Sequence, residues 1–271
     1  MNKFTLIILF SALSLVAFSQ GEINNAGGRS AGMANAGLTL NDTWAVFNNP
    51  AAMSNSKTMN VGLFYQNRFL MKEIGYGALA FTTPVLGGNF GLGVTHFGFS
   101  AFQYNKFAVG YAQQLFSNFS LGMQINYFSV RQSEYYGNIN ALTFELGVLS
   151  KPTENFSIGA YIFNPLNLSY FEDENLKMPV ALKLGISYLF SESLLLAIET
   201  GKAINGEIPV FKTGIEYTIN KQFSLRTGVA LLPIEYSFGL GYRKEKINFD
   251  IAYSYHEVLG STPKLSISYE F

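Results

Sequence analysis

Phe119-Ser120-Leu121-Gly122-Met123-Gln124-Ile125-Asn126-Tyr127 alternates without a break. Phe119, Leu121, Met123, Ile125 and Tyr127 share one face, and Ser120, Gly122, Gln124 and Asn126 share the other. Successive side chains leave a pleated strand on opposite sides, so a period of two predicts a strand with two unlike faces. The pattern recurs toward the C-terminus. Tyr236, Phe238, Leu240 and Tyr242 oppose Ser237, Gly239, Gly241 and Arg243, and Ile247, Phe249, Ile251 and Tyr253 oppose Asn248, Asp250, Ala252 and Ser254. The second face is rich in Gly, Ser and Asn but poor in charge, which suits a crowded lumen better than a water-facing surface.

Extended outward, this reading places about fourteen strands after Lys57, near 58–68, 74–84, 89–97, 105–115, 118–131, 139–150, 155–163, 180–190, 193–201, 209–219, 222–231, 235–243, 246–255 and 263–271. These lengths suit the roughly 9–11 residues that a tilted strand needs to cross a bilayer. Strand over more than half the chain far exceeds the roughly 20–25% usual in soluble domains, but it is expected of a membrane barrel. Connections alternate in length. Those at Leu86–Gly88, Phe116–Ser117, Lys151–Glu154, Ser191–Glu192, Asn220–Lys221 and Lys244–Glu245 read as tight. Those at Gly98–Tyr104, Gln132–Asn138, Asn164–Pro179, Lys202–Ile208 and His256–Thr262 read as longer. Phe107, Tyr127, Tyr188, Phe190, Phe223, Tyr242 and Tyr255 recur at strand ends, as aromatic girdles require. The fold class is therefore all-β: a closed transmembrane antiparallel barrel in which strands one and fourteen pair, leaving no backbone group unsatisfied in lipid.

Composition agrees. The 271 residues are 48% hydrophobic and 15% aromatic, yet only 13% charged. A soluble surface calls for roughly 25–35% charged residues. Zero net charge removes an electrostatic case for nucleic acid, and the absence of cysteine excludes thiol catalysis, disulfides and Cys-bound metals. Lys3 followed by the apolar run Phe4–Val16, with Ala17 and Ser19 at the −3 and −1 positions, predicts a signal peptide over 1–19 cleaved before Gln20.

Residues 20–56 read as a plug segment and 57–271 as the barrel. Gly27, Gly28, Gly32 and Gly37 with intervening Ala and Ser cannot build a core of their own but can lie flat against other backbone. Pro50 fixes its own φ and biases Asn49 out of the helical region, which predicts a turn there. Trp44 is the only tryptophan and stands in this segment, where its burial would anchor the plug in the lumen.

Two stretches carry a resemblance. Gly28-Arg29-Ser30-Ala31-Gly32-Met33-Ala34-Asn35-Ala36-Gly37, continuing through Asp42-Thr43-Trp44-Ala45-Val46-Phe47-Asn48-Asn49-Pro50-Ala51-Ala52-Met53, is similar to the opening of FadL-like barrels, including the PorV type of the type IX secretion system. Those begin with a small-residue segment, then an acidic residue, an aromatic and Asn-Pro-Ala, ahead of fourteen strands. Ser266-Ile267-Ser268-Tyr269-Glu270-Phe271 resembles the C-terminal signal of bacterial outer-membrane proteins, with Phe271 as the terminal aromatic that the insertion machinery reads. The resemblance implies residence in the bacterial outer membrane. It leaves two functions open: binding or transport of an apolar small molecule, or a non-transporting PorV-like scaffold of a secretion or surface complex. The partners implied are outer-membrane lipid, the barrel insertion machinery, and a hydrophobic ligand or secretion-system proteins.

No catalytic constellation emerges. His96 continues an apolar phase near a strand end and His256 opens a loop beside Glu257, neither within a nucleophile motif or a paired-His spacing. The acidic run Glu172-Asp173-Glu174 reads as a solvated loop tip. The expectation is no enzyme, no cofactor and no metal. A charge ladder is expected on the lumen face of the C-terminal half. A turn centred on Ser191 would set Lys183 against Glu199, a turn centred on Lys221 would set Glu216 against Arg226, and Lys212 would lie near Glu199. Such cross-strand pairs contribute roughly 0.2–1 kcal/mol each.

Overall fold

The computed structural model describes residues 25–132, 137–171, 176–203 and 208–271. The expected signal peptide 1–19 and the run Glu172-Asp173-Glu174 lie outside them. Each alternating stretch becomes one antiparallel strand: β1 (Asn60–Asn67), β2 (Gly75–Val85), β3 (Gly88–Phe99), β4 (Phe102–Phe116), β5 (Phe119–Gln132), β6 (Asn138–Thr153), β7 (Phe156–Phe163), β8 (Ala181–Ser191), β9 (Leu194–Ala203), β10 (Val210–Ile219), β11 (Phe223–Leu231), β12 (Glu235–Lys244), β13 (Ile247–His256) and β14 (Gly260–Glu270). Every strand pairs with its neighbours in sequence, and β1 pairs with β14 from Asn60↔Glu270 to Gln66↔Lys264. The Phe271 amide donates to Met59 O at 2.9 Å, extending this seam by one bond. A sheet so closed has no edge, which is what a hydrocarbon solvent demands of backbone polar groups.

The apolar phase points out. Met123 is 55% exposed, and Phe238 and Leu240 are each 58% exposed, values that would penalise a water-facing sheet but suit lipid. All seven strand-end aromatics named above are also exposed on this face. The opposite phase is buried: Ser120, Gln124 and Asn126 on β5, and Ser237, Asp250 and Ser254 on β12 and β13.

Two connections expected to be long are tight. β3 runs to Phe99 and β4 begins at Phe102, while β13 ends at His256 and β14 begins at Gly260. The strands continue as paired hairpins beyond their apolar stretches, because pairing satisfies backbone groups there as well as water does. Phe97 meets Phe102 edge-to-face at 6.5 Å, adding an aromatic contact to the first of these hairpins. At the same end, residues 68–74 join β1 to β2 through two 3₁₀ turns, Arg68–Leu70 and Lys72–Ile74.

Residues 25–59 precede the wall. They hold the short helices Gly28–Ala31 and Ala45–Asn48 and the 3₁₀ turn Pro50–Asn55. Met33, Ala45, Val46, Phe47, Ala51 and Met53 are each at most 1% exposed, although segments this short have no interior of their own. Their burial comes from the barrel wall around them.

Candidate functional site in the barrel lumen

Inward glycines let the plug approach the wall. A Cβ added at Gly122 of β5 would lie 2.3 Å from Ala51 N, and one at Gly147 of β6 would lie 2.0 Å from Asn49 Oδ1. Across the lumen, a Cβ at Gly228 of β11 would lie 2.4 Å from the Met33 carbonyl carbon. Glycine at these positions removes the side chain that would otherwise hold two backbones apart. The small inward residues are thus the counter-surface of the plug.

Trp44, Asn49, Pro50 and Ala51 of the plug segment are all buried. Asn49 accepts a hydrogen bond from Ala51 N at 3.1 Å through Oδ1, capping the 3₁₀ turn that Pro50 opens. Its Nδ2 donates to Leu38 O at 3.0 Å and to Val148 O at 3.2 Å, tying the plug to itself and to β6. Trp44 packs edge-to-face on Phe64 of β1 at 5.9 Å, and Phe64 on Tyr76 of β2 at 6.0 Å. A second cluster joins Leu38 to Phe128, Tyr161, Phe163 and Met178.

A chain of charge runs from plug to wall. Arg29 donates from Nε to Glu216 Oε2 at 2.9 Å and from a terminal nitrogen to Oε1 at 2.6 Å. Arg226 donates from Nε to the same Glu216 and from Nη1 to Asp250 Oδ1, both at 2.6 Å. Ser266 Oγ donates to Asp250 Oδ2 at 3.2 Å and accepts from the amide of Gly28 at 3.0 Å, so the chain ends where it began, on the plug. Asp42 lies 3.7 Å from Arg29, and its Oδ1 accepts from Trp44 N at 3.0 Å. Burial pushes the Asp42 carboxyl above its ordinary value, against the pull of Arg29.

Glu216 stands opposite Arg226, and Lys212 opposite Glu199 with a 3.5 Å ion pair. Lys183 does not stand opposite Glu199. It pairs with Gly201, and Glu199 pairs with Gly185. An irregularity between Leu189 and Ser191 moves the β8–β9 hairpin by two residues from the expected register; a shift of two preserves the faces, so both charges still point inward. Lys183 Nζ instead donates to Asn25 Oδ1 at 2.8 Å and lies 5.4 Å from the Tyr161 ring. Glu199 Oε2 accepts from the backbone amides of Gly37 and Leu38, both at 3.1 Å. The ladder residues hold the plug as much as each other.

Several partners escaped the sequence reading. Arg29, Asn25 and Ser266 complete the contacts above. On the other wall Lys106 pairs with Glu145 at 2.7 Å, and Glu145 also accepts from Gln124 at 3.0 Å and Asn126 at 2.9 Å. Inward parity marks Asp250 and is the signal that would have found Lys106 and Glu145, whereas Arg29 lies in an irregular segment with no parity to read. His96 sits on the outer face with Nδ1 2.7 Å from Asn105 Oδ1, and His256 Nδ1 accepts from the amides of Val258 and Leu259. Among the described residues no group of three His, Asp or Glu is placed to hold a metal ion.

No protein-family model matches the sequence, and no curated protein matches it. Solved structures do match in shape. The P. putida toluene transporter TodX aligns with a TM-score of 0.71 at 15% identity, over 92% of this chain and 99% of its own. The Ralstonia pickettii toluene transporter TbuX gives 0.67 at 14%, and a Pseudomonas aeruginosa FadL homologue gives 0.66 at 15%, each over 92% of this chain and 99% of theirs. The fold is that of the FadL-type barrels. At such identity the likeness lies in the path of the backbone. Within this barrel, the buried contacts between plug and wall are specified by the chain's own residues.

Proposed function

We propose that this chain is an outer-membrane barrel that binds and passes an apolar small molecule, of the size of a monoaromatic hydrocarbon. The observation that carries the reading is the combination of a packed plug with an aromatic lumen wall. The plug supports low water permeability. Around it, toward the end bearing the 68–74 connection, inward rings continue. Tyr104 lies 5.4 Å from Phe128, and Phe128 lies 6.0 Å from Phe163, with Phe97 packed beside the Trp44 cluster. Phe128 and Phe163 pack against the plug's Leu38, so an apolar solute would gain burial by displacing part of this packing, while ions would gain little. Proteins of this shape include two toluene transporters, which agrees with the reading. Cells carrying the chain in an intact outer membrane should take up toluene faster than cells lacking it, while ionic conductance in planar bilayers stays low. Equal toluene uptake by both would defeat the transport reading.

The outer-membrane placement rests on the closed barrel and its lipid-suited exterior, and an insertion role for Phe271 is part of the same proposal. Deleting Phe271 should lower the yield of assembled, heat-modifiable barrel in vivo by slowing insertion. An unchanged yield would remove the insertion role from that residue.

One observation favours a PorV-like accessory scaffold as a second reading. Leu166, Phe171 and Ile208 are exposed on neighbouring connections at one rim, outside the strands. Large apolar patches off the lipid face mark protein contacts. Replacing Leu166 and Phe171 with Ser should release co-purifying surface proteins under this reading and leave toluene uptake unchanged.

A further inference from the structure

The outer surface carries a depression that the lumen reading does not use. It has a volume of about 440 Å³, within the range of small-molecule pockets, and it crosses the lipid-facing side of β6 to β10. Two cross-strand rows form it. One row runs Phe119↔Ser150↔Ile158↔Ile186↔Ile198. The next runs Val148↔Ala160↔Leu184↔Thr200↔Phe211. Ser150, Ala160 and Thr200 are short where their neighbours are long, so the outer surface sinks between the flanking Ile, Leu and Phe side chains. Phe119 opens β5 just after a tight turn, and Phe211 lies near the start of β10 at the opposite end of the barrel. The groove therefore slopes across the apolar band from one rim toward the other.

Charge marks one end. Lys202 follows Thr200 by two residues on β9, so it shares the outward face, and it is exposed. That spacing sets it roughly 7 Å farther along the strand, at the rim bearing the longer connections. The outward positions of β6, β7, β8 and β10 carry no charged residue. An ammonium at the rim above an apolar groove complements a lipid, phosphate outermost and acyl chain descending.

We infer that the groove over β6 to β10 binds one acyl chain of an anionic, phosphate-bearing lipid in the leaflet at the long-connection end, with Lys202 meeting its phosphate. The inference requires that the barrel span a membrane, but it is independent of what crosses the lumen. Its failure would leave the toluene reading standing, and the reverse holds too.

The purified full chain in detergent would be titrated with dioleoyl phosphatidylglycerol and, separately, with dioleoyl phosphatidylcholine, and retained lipid counted by native mass spectrometry. One phosphatidylglycerol should be retained in preference to phosphatidylcholine. Lys202→Gln should weaken phosphatidylglycerol retention about fivefold, the effect of one basic residue at an anionic surface. Ala160→Phe fills the groove from outside and should abolish retention of the first lipid while the barrel remains heat-modifiable. Equal retention of both lipids, or retention unchanged in Ala160→Phe, would overturn the inference. A dimer in place of bound lipid, lost in Ala160→Phe, would also overturn it by assigning the groove to a second copy.

Discussion

Arg29 of the plug and Glu216 of β10 meet through two parallel hydrogen bonds at 2.9 and 2.6 Å, although 187 positions separate them in sequence. A guanidinium facing a carboxylate in this fork geometry is a directional contact, so it sets the angle of the plug as well as its position. Glu216 is shared with Arg226, and removing either arginine leaves the carboxylate one partner.

Arg29→Ala is therefore expected to loosen the plug without unfolding the barrel. Removing one partner of a buried ion pair costs roughly 3–5 kcal/mol, and the lower end applies because Arg226 remains. Single-channel recordings should show transient openings that the native chain lacks, fewer in Arg29→Lys, which keeps the charge but loses the fork. An unchanged conductance in Arg29→Ala would mean that the contact does not retain the plug.

Gly122 provides a steric counterpart to that electrostatic test. A Cβ there would fall 2.3 Å from Ala51 N, so Gly122→Ala must displace the plug or bend β5. Overpacking of this kind costs about 1–3 kcal/mol. Trp44 is the only tryptophan and is 2% exposed, so its emission reports on the plug alone. Gly122→Ala should shift that emission to longer wavelength. Gly77→Ala, whose added Cβ would meet nothing nearer than Phe64 O at 3.9 Å, should leave it in place. Equal spectra for the two variants would contradict the close packing at Gly122.

The Glu216↔Arg226 pair tests the register of β10 against β11. Glu216→Ala and Arg226→Ala made singly and together, with unfolding followed in detergent, should give a coupling within the 0.5–3 kcal/mol typical of contacting residues. Additive losses would deny the 2.6 Å contact.

How far such contacts could be read in the sequence depended on local backbone regularity. Glu216↔Arg226 was legible because the alternation runs unbroken on both sides of Asn220-Lys221-Gln222, leaving one register that keeps Tyr217 beside Leu225 on the outer face. Lys183 and Glu199 were legible as inward residues but not as non-partners. The irregularity at Leu189 and Ser191 changes the pairing while leaving the parity intact, and parity is all that a period-two pattern encodes. The plug was legible only as composition. Its glycines announced close packing, but the partners of Arg29 and Asn49 depend on a fold that brings residues more than ninety positions apart together. The groove at Ala160 was visible in no single strand, since it arises where short residues on neighbouring strands fall into adjacent rows.

Glu199 offers the most specific test of how the wall holds the plug. Its Oε2 accepts from the amides of both Gly37 and Leu38, and Lys212 lies 3.5 Å from the other oxygen. The carboxylate thus satisfies two backbone donors in a segment with no regular pairing of its own. Hydrogen bonds to a charged acceptor contribute roughly 1.5–3 kcal/mol each, and a buried amide left without a partner bears its full desolvation cost. Glu199→Gln keeps a carbonyl oxygen and loses the charge, so protection of the two amides should fall partway. Glu199→Ala removes the acceptor and should expose both to exchange. Hydrogen exchange resolved at Gly37 and Leu38 would order the three proteins native, Gln, Ala in increasing rate, while the β9 amides, which bond to β8 and β10, exchange alike in all three. If the plug amides exchanged at one rate in every variant, Glu199 would be a wall charge with no hold on the plug, and retention would rest on Arg29 and the glycine surface alone.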